Sequence, residues 1–166
     1  GTEFPKADTA DLGYWAPPFS LENDRADTHE MITYSLPLRW EGRTYGVLGV
    51  EISCRSLYDY FPVAELNDSQ QSGYLLAVKD AGGRYVPLVG KGLLYDLVRS
   101  KEEGLVLEET GYENLARVRD AGLNGQGIYA VARPLRLYGP HVPYENTEWA
   151  LLGLDTEETL FGLSRR

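Results

Sequence analysis

Tyr45-Gly-Val-Leu-Gly-Val-Glu51 and Trp149-Ala-Leu-Leu-Gly-Leu-Asp155 follow one template: an aromatic residue, a small one, two aliphatics, Gly, an aliphatic and an acid. A Pro-Leu-Arg precedes each copy, at Pro37-Leu-Arg39 and at Pro134-Leu-Arg136. The spacings from Pro to aromatic are 8 and 15 residues, so the second copy carries a seven-residue insertion within Tyr138 to Glu148. Two motifs recurring in the same order point to two related lobes, each ending in an antiparallel hairpin. The first copy has the two-residue period of a strand. Leu48, Val50 and Ile52 then share one face, expected to be core, while Tyr45, Val47, Gly49, Glu51 and Ser53 share the other. Glycine weakens a strand, and close approach of another group is one reason to hold it there. Gly49 beside Glu51 therefore leaves open space with an acid pointing into it. A carboxylate on a half-buried strand needs a partner. It is either the ammonium or hydroxyl of a small ligand, or a structural group such as a buried Arg or the turn at Arg55-Ser56.

Outward from this strand, the pattern predicts a second one over 31–38, with Ile32, Tyr34, Leu36 and Leu38 on one face and Thr33 and Ser35 on the other. The Gly of Trp40-Glu-Gly-Arg-Thr44 joins the two as a hairpin. Residues 1–30 read as loop, with Tyr14-Trp-Ala-Pro-Pro-Phe19 as an aromatic anchor inside it. Beyond Ser53, a short helix over 55–61 is expected to stop before Pro62, and the polar residues 65–72 form a connector. Strands are expected over 73–79, 84–89, 126–138 and 149–154, and helices over 93–103 and 112–119. Glu113 and Arg117 would form an i,i+4 pair on the second of these helices. Thr156, followed by two acids, predicts a capped helix running to Leu163.

The 166 residues carry a formal net charge of −9, with 43% hydrophobic and 25% charged residues. That is a globular composition, and its acidity argues against duplex nucleic acid or an anionic membrane surface as partner. One cysteine and two histidines exclude a disulfide framework and a multi-cysteine metal site, and leave little for nucleophile–base pairs. Cys54 is expected as a buried filler, and no cofactor is expected. No apolar run approaches the roughly 20 residues that span a bilayer, so the chain by itself is expected to be soluble. Asp24, Asp27, His29 and Glu30 read as a solvated polar loop rather than a cation site, and Tyr138-Gly-Pro-His-Val-Pro-Tyr144 as a proline-stiffened surface loop rather than the border of a second pocket. Gly122-Leu-Asn-Gly-Gln-Gly127 lacks the Lys and strand-to-helix setting of a phosphate loop. Arg84 and Tyr85 are candidates for the lining of a second-lobe cavity. Twelve tyrosines suit the filling of strands and equally the walling of a pocket for a small polar ligand.

Trp15-Ala-Pro-Pro-Phe19, Ile32-Thr-Tyr-Ser-Leu-Pro37 and Glu41-Gly-Arg-Thr-Tyr-Gly-Val-Leu-Gly-Val-Glu-Ile-Ser53 resemble, in order and spacing, the double Cache sensor domains of bacterial membrane receptors. The resemblance implies an α+β, PAS-like fold of antiparallel sheets with flanking helices in two lobes. It implies the second half of a membrane-distal lobe over 1–66 and a membrane-proximal lobe over 67–166, since the opening helix and Arg-x-Trp-Tyr segment of the family are not in this sequence. It further implies an extracytoplasmic domain of a membrane-anchored chemoreceptor, histidine kinase or diguanylate cyclase, dimeric in the full receptor, that senses a small polar amine or amino-acid-like molecule. The pocket positions it carries over are Trp15, Phe19, Tyr34, Ser35 and Glu51; the strand pattern adds Thr33, which shares a face with Ser35. Three rival readings remain: a cytoplasmic PAS or GAF-like domain, a hydrolase pairing Glu51 with Asp59 or Asp155, and an interaction module with empty lobes.

Overall fold

The computed structural model describes residues 8–19, 31–61, 72–101 and 103–162, apart from the side chains of Pro18 and Phe19. These residues form nine strands and three α-helices. The chain divides into two compact units, one made of Gly1–Leu57 and Arg136–Asn146, the other of Tyr58–Leu135 and Thr147–Arg166.

The first unit is a three-stranded antiparallel sheet in the order β1 (Tyr14–Phe19), β2 (Met31–Trp40), β3 (Arg43–Ser53). The β2–β3 hairpin turns at Glu41 and Gly42, both with positive φ (46° and 76°). That is the handedness a two-residue hairpin turn requires, and it is where the sequence places the turn. β1 corrects the expectation of a loop over 1–30 where the two overlap, at 14–19; residues 1–7 and 20–30 lie outside the described residues. Pro17 and Pro18 conceal the strand, but prolines are tolerated on an edge strand, and the pairing shifts register between Ala16 and Phe19. A 3-10 turn, Thr9–Leu12, precedes it under an Asp8 cap.

α1 (Cys54–Tyr60) follows β3 directly, and Cys54 is buried as expected. In the second unit β4 (Gly73–Lys79), β5 (Tyr85–Gly92), α2 (Leu93–Val98), β6 (Leu107–Glu109), β7 (Ala116–Leu123), β8 (Gln126–Pro134), β9 (Trp149–Thr156) and α3 (Glu157–Phe161) follow in chain order. The sheet is six-stranded, ordered β5-β4-β9-β8-β7-β6. Its core joins Leu75 and Ala77 of β4, Leu94 and Val98 of α2, Val118, Ile128 and Ala130 of β7 and β8, and Ala150, Leu152 and Leu154 of β9. Gly90 lies where a Cβ would collide with the Tyr74 carbonyl and come within 2.8 Å of Leu75. At the C-terminal end of α1, the Lys91 ammonium donates to Phe61 O (2.6 Å) and sits 4.5 Å from the Tyr58 ring centroid. α3 starts at a Thr156 cap, as predicted, and Gln126 holds its first turn through the Glu158 carboxylate (2.7 Å) and amide (3.1 Å).

Four expectations are corrected here. The helix over 112–119 does not exist, because residues 116–123 alternate instead, with Val118 buried between exposed Arg117 and Arg119. The deciding signal is Asn124-Gly125, whose φ values of 52° and 79° close a tight β7–β8 hairpin, and the glycine-rich 122–127 run is that turn. The helix over 93–103 stops at Val98, and the strand over 126–138 stops at Pro134. Finally, Leu48 and Val50, expected in a core, are 53% and 51% exposed among the described residues. Gly125→Ala is expected to cost about 1–2 kcal/mol, the penalty of a left-handed backbone for a residue with Cβ. Urea unfolding should show it, and an unchanged midpoint would refute the turn geometry.

Candidate functional site

Cross-strand register assigns each candidate residue to a face. Ala16 pairs with Thr33, and Thr33 with Glu51, so the three form one row. Tyr14, Ser35 and Gly49 form the next row on the same face, since directly opposed residues point the same way. Trp15, Tyr34 and Val50 make the intervening row on the opposite face. The structure therefore brings Thr33, Ser35 and Glu51 together and sets Trp15 and Tyr34 apart from them. The backbone of Phe19 pairs with Met31, and its side chain lies outside the described set. Trp15 and Tyr34 pack on each other, with ring centroids 4.9 Å apart, and a Cβ on Gly13 would collide with the Tyr34 hydroxyl.

The face with Glu51 has the properties of an open site. The Thr33 hydroxyl is buried and has no hydrogen-bond partner; among the described residues only it and the Trp149 indole N–H, in the other unit, are in that position. Glu51, directly across the strand pair, is exposed. Among the described residues, a Cβ on Gly49 would meet only the Thr33 methyl, at 3.9 Å, so these residues leave open the space expected beside Glu51. A donor–acceptor hydroxyl beside a carboxylate suits a ligand that presents an N–H or O–H group.

Sequence reasoning missed three tyrosines. Tyr14 shares the face of Ser35, and its ring lies 6.3 Å from that of Tyr138 (planes 4° apart) and 5.0 Å from that of Tyr144. Both partners come from the insertion of the second repeat, read as a surface loop, and residues 136–146 belong to the first unit. The count of twelve tyrosines was a usable signal, but nothing local to them indicated which would meet.

The second unit holds a cleft of about 550 Å³ lined by Arg84, Lys101, Glu103 and Arg119 among others. Its cations are engaged. Arg84 pairs with Asp80 (2.9 Å), Arg119 with Glu108 (2.6 Å), and Lys101 donates to the carbonyls of Arg119 (3.2 Å) and Asp120 (2.6 Å). The Arg84 backbone N–H, above all, holds the Asp80 carboxyl below its ordinary pKa, and the hydrogen bond to Glu108 raises that of Arg119. No group of three or more His, Cys, Asp or Glu able to hold a metal occurs among the described residues, and Asp24, Asp27, His29 and Glu30 lie outside them. Glu51 belongs to the first unit, Asp59 and Asp155 to the second, so the acids of the hydrolase reading do not share a unit.

No protein-family profile and no curated protein matches the chain. Solved structures do. The ligand-binding domain of the Pseudomonas fluorescens chemoreceptor CtaA, in complex with L-leucine, is similar at TM-score 0.53 and 15% identity, over 90% of this chain and 56% of that one. The ligand-binding domain of the Pseudomonas aeruginosa amino-acid chemoreceptor PctB, in complex with L-Arg, is similar at TM-score 0.54 and 14% identity, over 94% of this chain and 55% of that one. The chain thus spans a little over half the length of these neighbours. At such identity the likeness is one of fold; the mostly antiparallel sheets with few helices match the PAS-like part of the expected α+β class.

Proposed function

We propose that this chain is the sensing part of an extracytoplasmic receptor domain of the double Cache type, which binds a small polar molecule bearing an amine on the Glu51 face of the first unit. The observation that carries this reading is the buried Thr33 hydroxyl, without a partner among the described residues, across from an exposed carboxylate and beside the space those residues leave over Gly49. A buried hydroxyl without a partner is costly, and a ligand N–H or O–H seated there would remove that cost. The solved neighbours support the class, since they are chemoreceptor domains with amino acids bound. The chain itself does no chemistry in this reading. Its parent is a membrane-anchored, dimeric chemoreceptor, histidine kinase or cyclase, and α3 passes the ligand-induced shift onward. Such a shift requires different ligand affinity in two conformations.

The proposal includes a lobe division near residue 66 and a first lobe completed by polypeptide that this chain does not contain. Support comes from the repeat. β9 is flanked by β8 and β4, whereas among the described residues its counterpart β3 pairs with β2 alone and leaves Leu48 and Val50 half exposed. A thermal-shift screen with amino acids, amines, carboxylic acids and purines tests the ligand class. A compound at 100 times its Kd adds about 2.7 kcal/mol of stability. Amine-bearing compounds are expected to raise the midpoint, and a response confined to carboxylic acids or purines would overturn the assignment.

A further inference from the structure

The insertion that distinguishes the second repeat does work in the first unit. Residues 136–146 lie between β8 and β9 in the chain yet pack within the unit that contains β1. Trp15 N–H donates to the Tyr138 hydroxyl (2.9 Å), and that hydroxyl in turn donates to Trp15 O (3.4 Å). One side-chain oxygen thus serves both backbone groups of a residue on the edge strand, as a neighbouring strand would. The Tyr144 hydroxyl donates to Leu12 O (3.3 Å), just before β1. Asn146 closes the base of the loop, donating to Tyr138 O (2.8 Å) and accepting from Tyr138 N–H (2.9 Å). Edge strands need such partners, and β1 needs them more than most because Pro17 and Pro18 contribute no N–H.

We infer that Tyr138 is a positioning residue for the candidate ligand face. Its hydroxyl fixes Trp15 on the outer edge of β1, and thereby holds Tyr14 and Ala16 in register against Ser35 and Thr33. Loss of that anchor frees β1 to slip, and a one-residue slip would turn Tyr14 and Ala16 away from the face. The inference rests on the proposed ligand face, but its first test does not.

Amide hydrogen exchange of the ligand-free chain, read by NMR, compares the wild type with Tyr138→Phe, which keeps the ring and removes only the hydroxyl. Exchange of the Trp15 amide is expected to rise about tenfold, as for loss of one ordinary hydrogen bond, while the amides of Leu75 and Leu152 stay unchanged. An unchanged Trp15 amide would overturn the inference. An equal rise in both sheets would overturn it too, because it would mark a general loss of stability. Titration with L-arginine and L-leucine adds the functional readout, with affinity expected to fall about tenfold in Tyr138→Phe. Undiminished affinity would show that the anchor does not position the site. If neither probe binds the wild type, neither amino acid is the ligand, and the Trp15 amide still decides the role of Tyr138.

Discussion

Leu152→Ala is expected to lower the stability of the second unit by about 2–5 kcal/mol, and Leu48→Ala, at the same position of the repeated strand, that of the first by less than about 1 kcal/mol. The two leucines occupy equivalent places in Trp149–Asp155 and Tyr45–Glu51. Leu152 is fully buried, in a core with Leu75, Leu94 and Ile128, so truncation removes transfer energy and leaves a cavity. Leu48 is 53% exposed, and truncation removes little that folding had buried. Because the chain has two units, one unfolding curve need not report a single transition, so amide exchange of Leu75 and of Ile32 should be followed separately. Equal penalties at the two positions would mean that β3 is already covered in this chain. In a longer protein that supplies the proposed cover, the penalty at Leu48 should climb into the range for Leu152; if it stays small there, the completion of the first lobe is wrong.

Glu51→Ala is expected to abolish amine binding while leaving the melting temperature nearly unchanged. Its side chain is exposed and enters none of the ion pairs among the described residues, so the fold has little to lose. A ligand ammonium would lose a charge-assisted hydrogen bond, about 1.5–3 kcal/mol, or roughly ten- to a hundredfold in affinity from this contact alone. Thr33→Val separates function from stability more sharply. Valine has nearly the same shape and removes a buried hydroxyl that has no partner among the described residues. The variant should therefore be as stable as the wild type or more so, by about 1–3 kcal/mol, and bind the amine about tenfold more weakly. A large fall in melting temperature for either variant, with affinity intact, would make the pair structural and sink the proposed site.

Much of the first sheet was legible because its signals are local. The alternation of Ile32, Tyr34 and Leu36 against Thr33 and Ser35, together with Gly42, suffices to write β2, β3 and the turn between them. The same was true of the Thr156 cap. β1 was not legible, since two prolines outweigh a strand pattern unless its place at an edge is known. Residues 112–119 misled because Glu113 and Arg117 have helical spacing, whereas Asn124-Gly125, five residues later, commits Arg117 and Val118 to a hairpin. Within the candidate site, Glu51 and Gly49 were named from the strand period, and the separation of Ser35 from Tyr34 followed from it. The matching separation of Trp15 from Thr33 needed the β1–β2 register.

By itself, then, the sequence determined the repeated strand, the direction of its alternate side chains and the hairpins that bring strands together, all of which are set by backbone geometry over a few residues. Only the tertiary structure decided which copy of that strand is buried, because burial depends on neighbours rather than on the strand's own residues. β9 has a strand on each side and α2 within its core, while β3 has β2 alone among the described residues. Only the tertiary structure, again, joined Trp15 to Tyr138 across 123 residues of chain. No local pattern encodes that contact, since what selects it is an edge strand in need of a hydrogen-bond partner and a loop long enough to bring one.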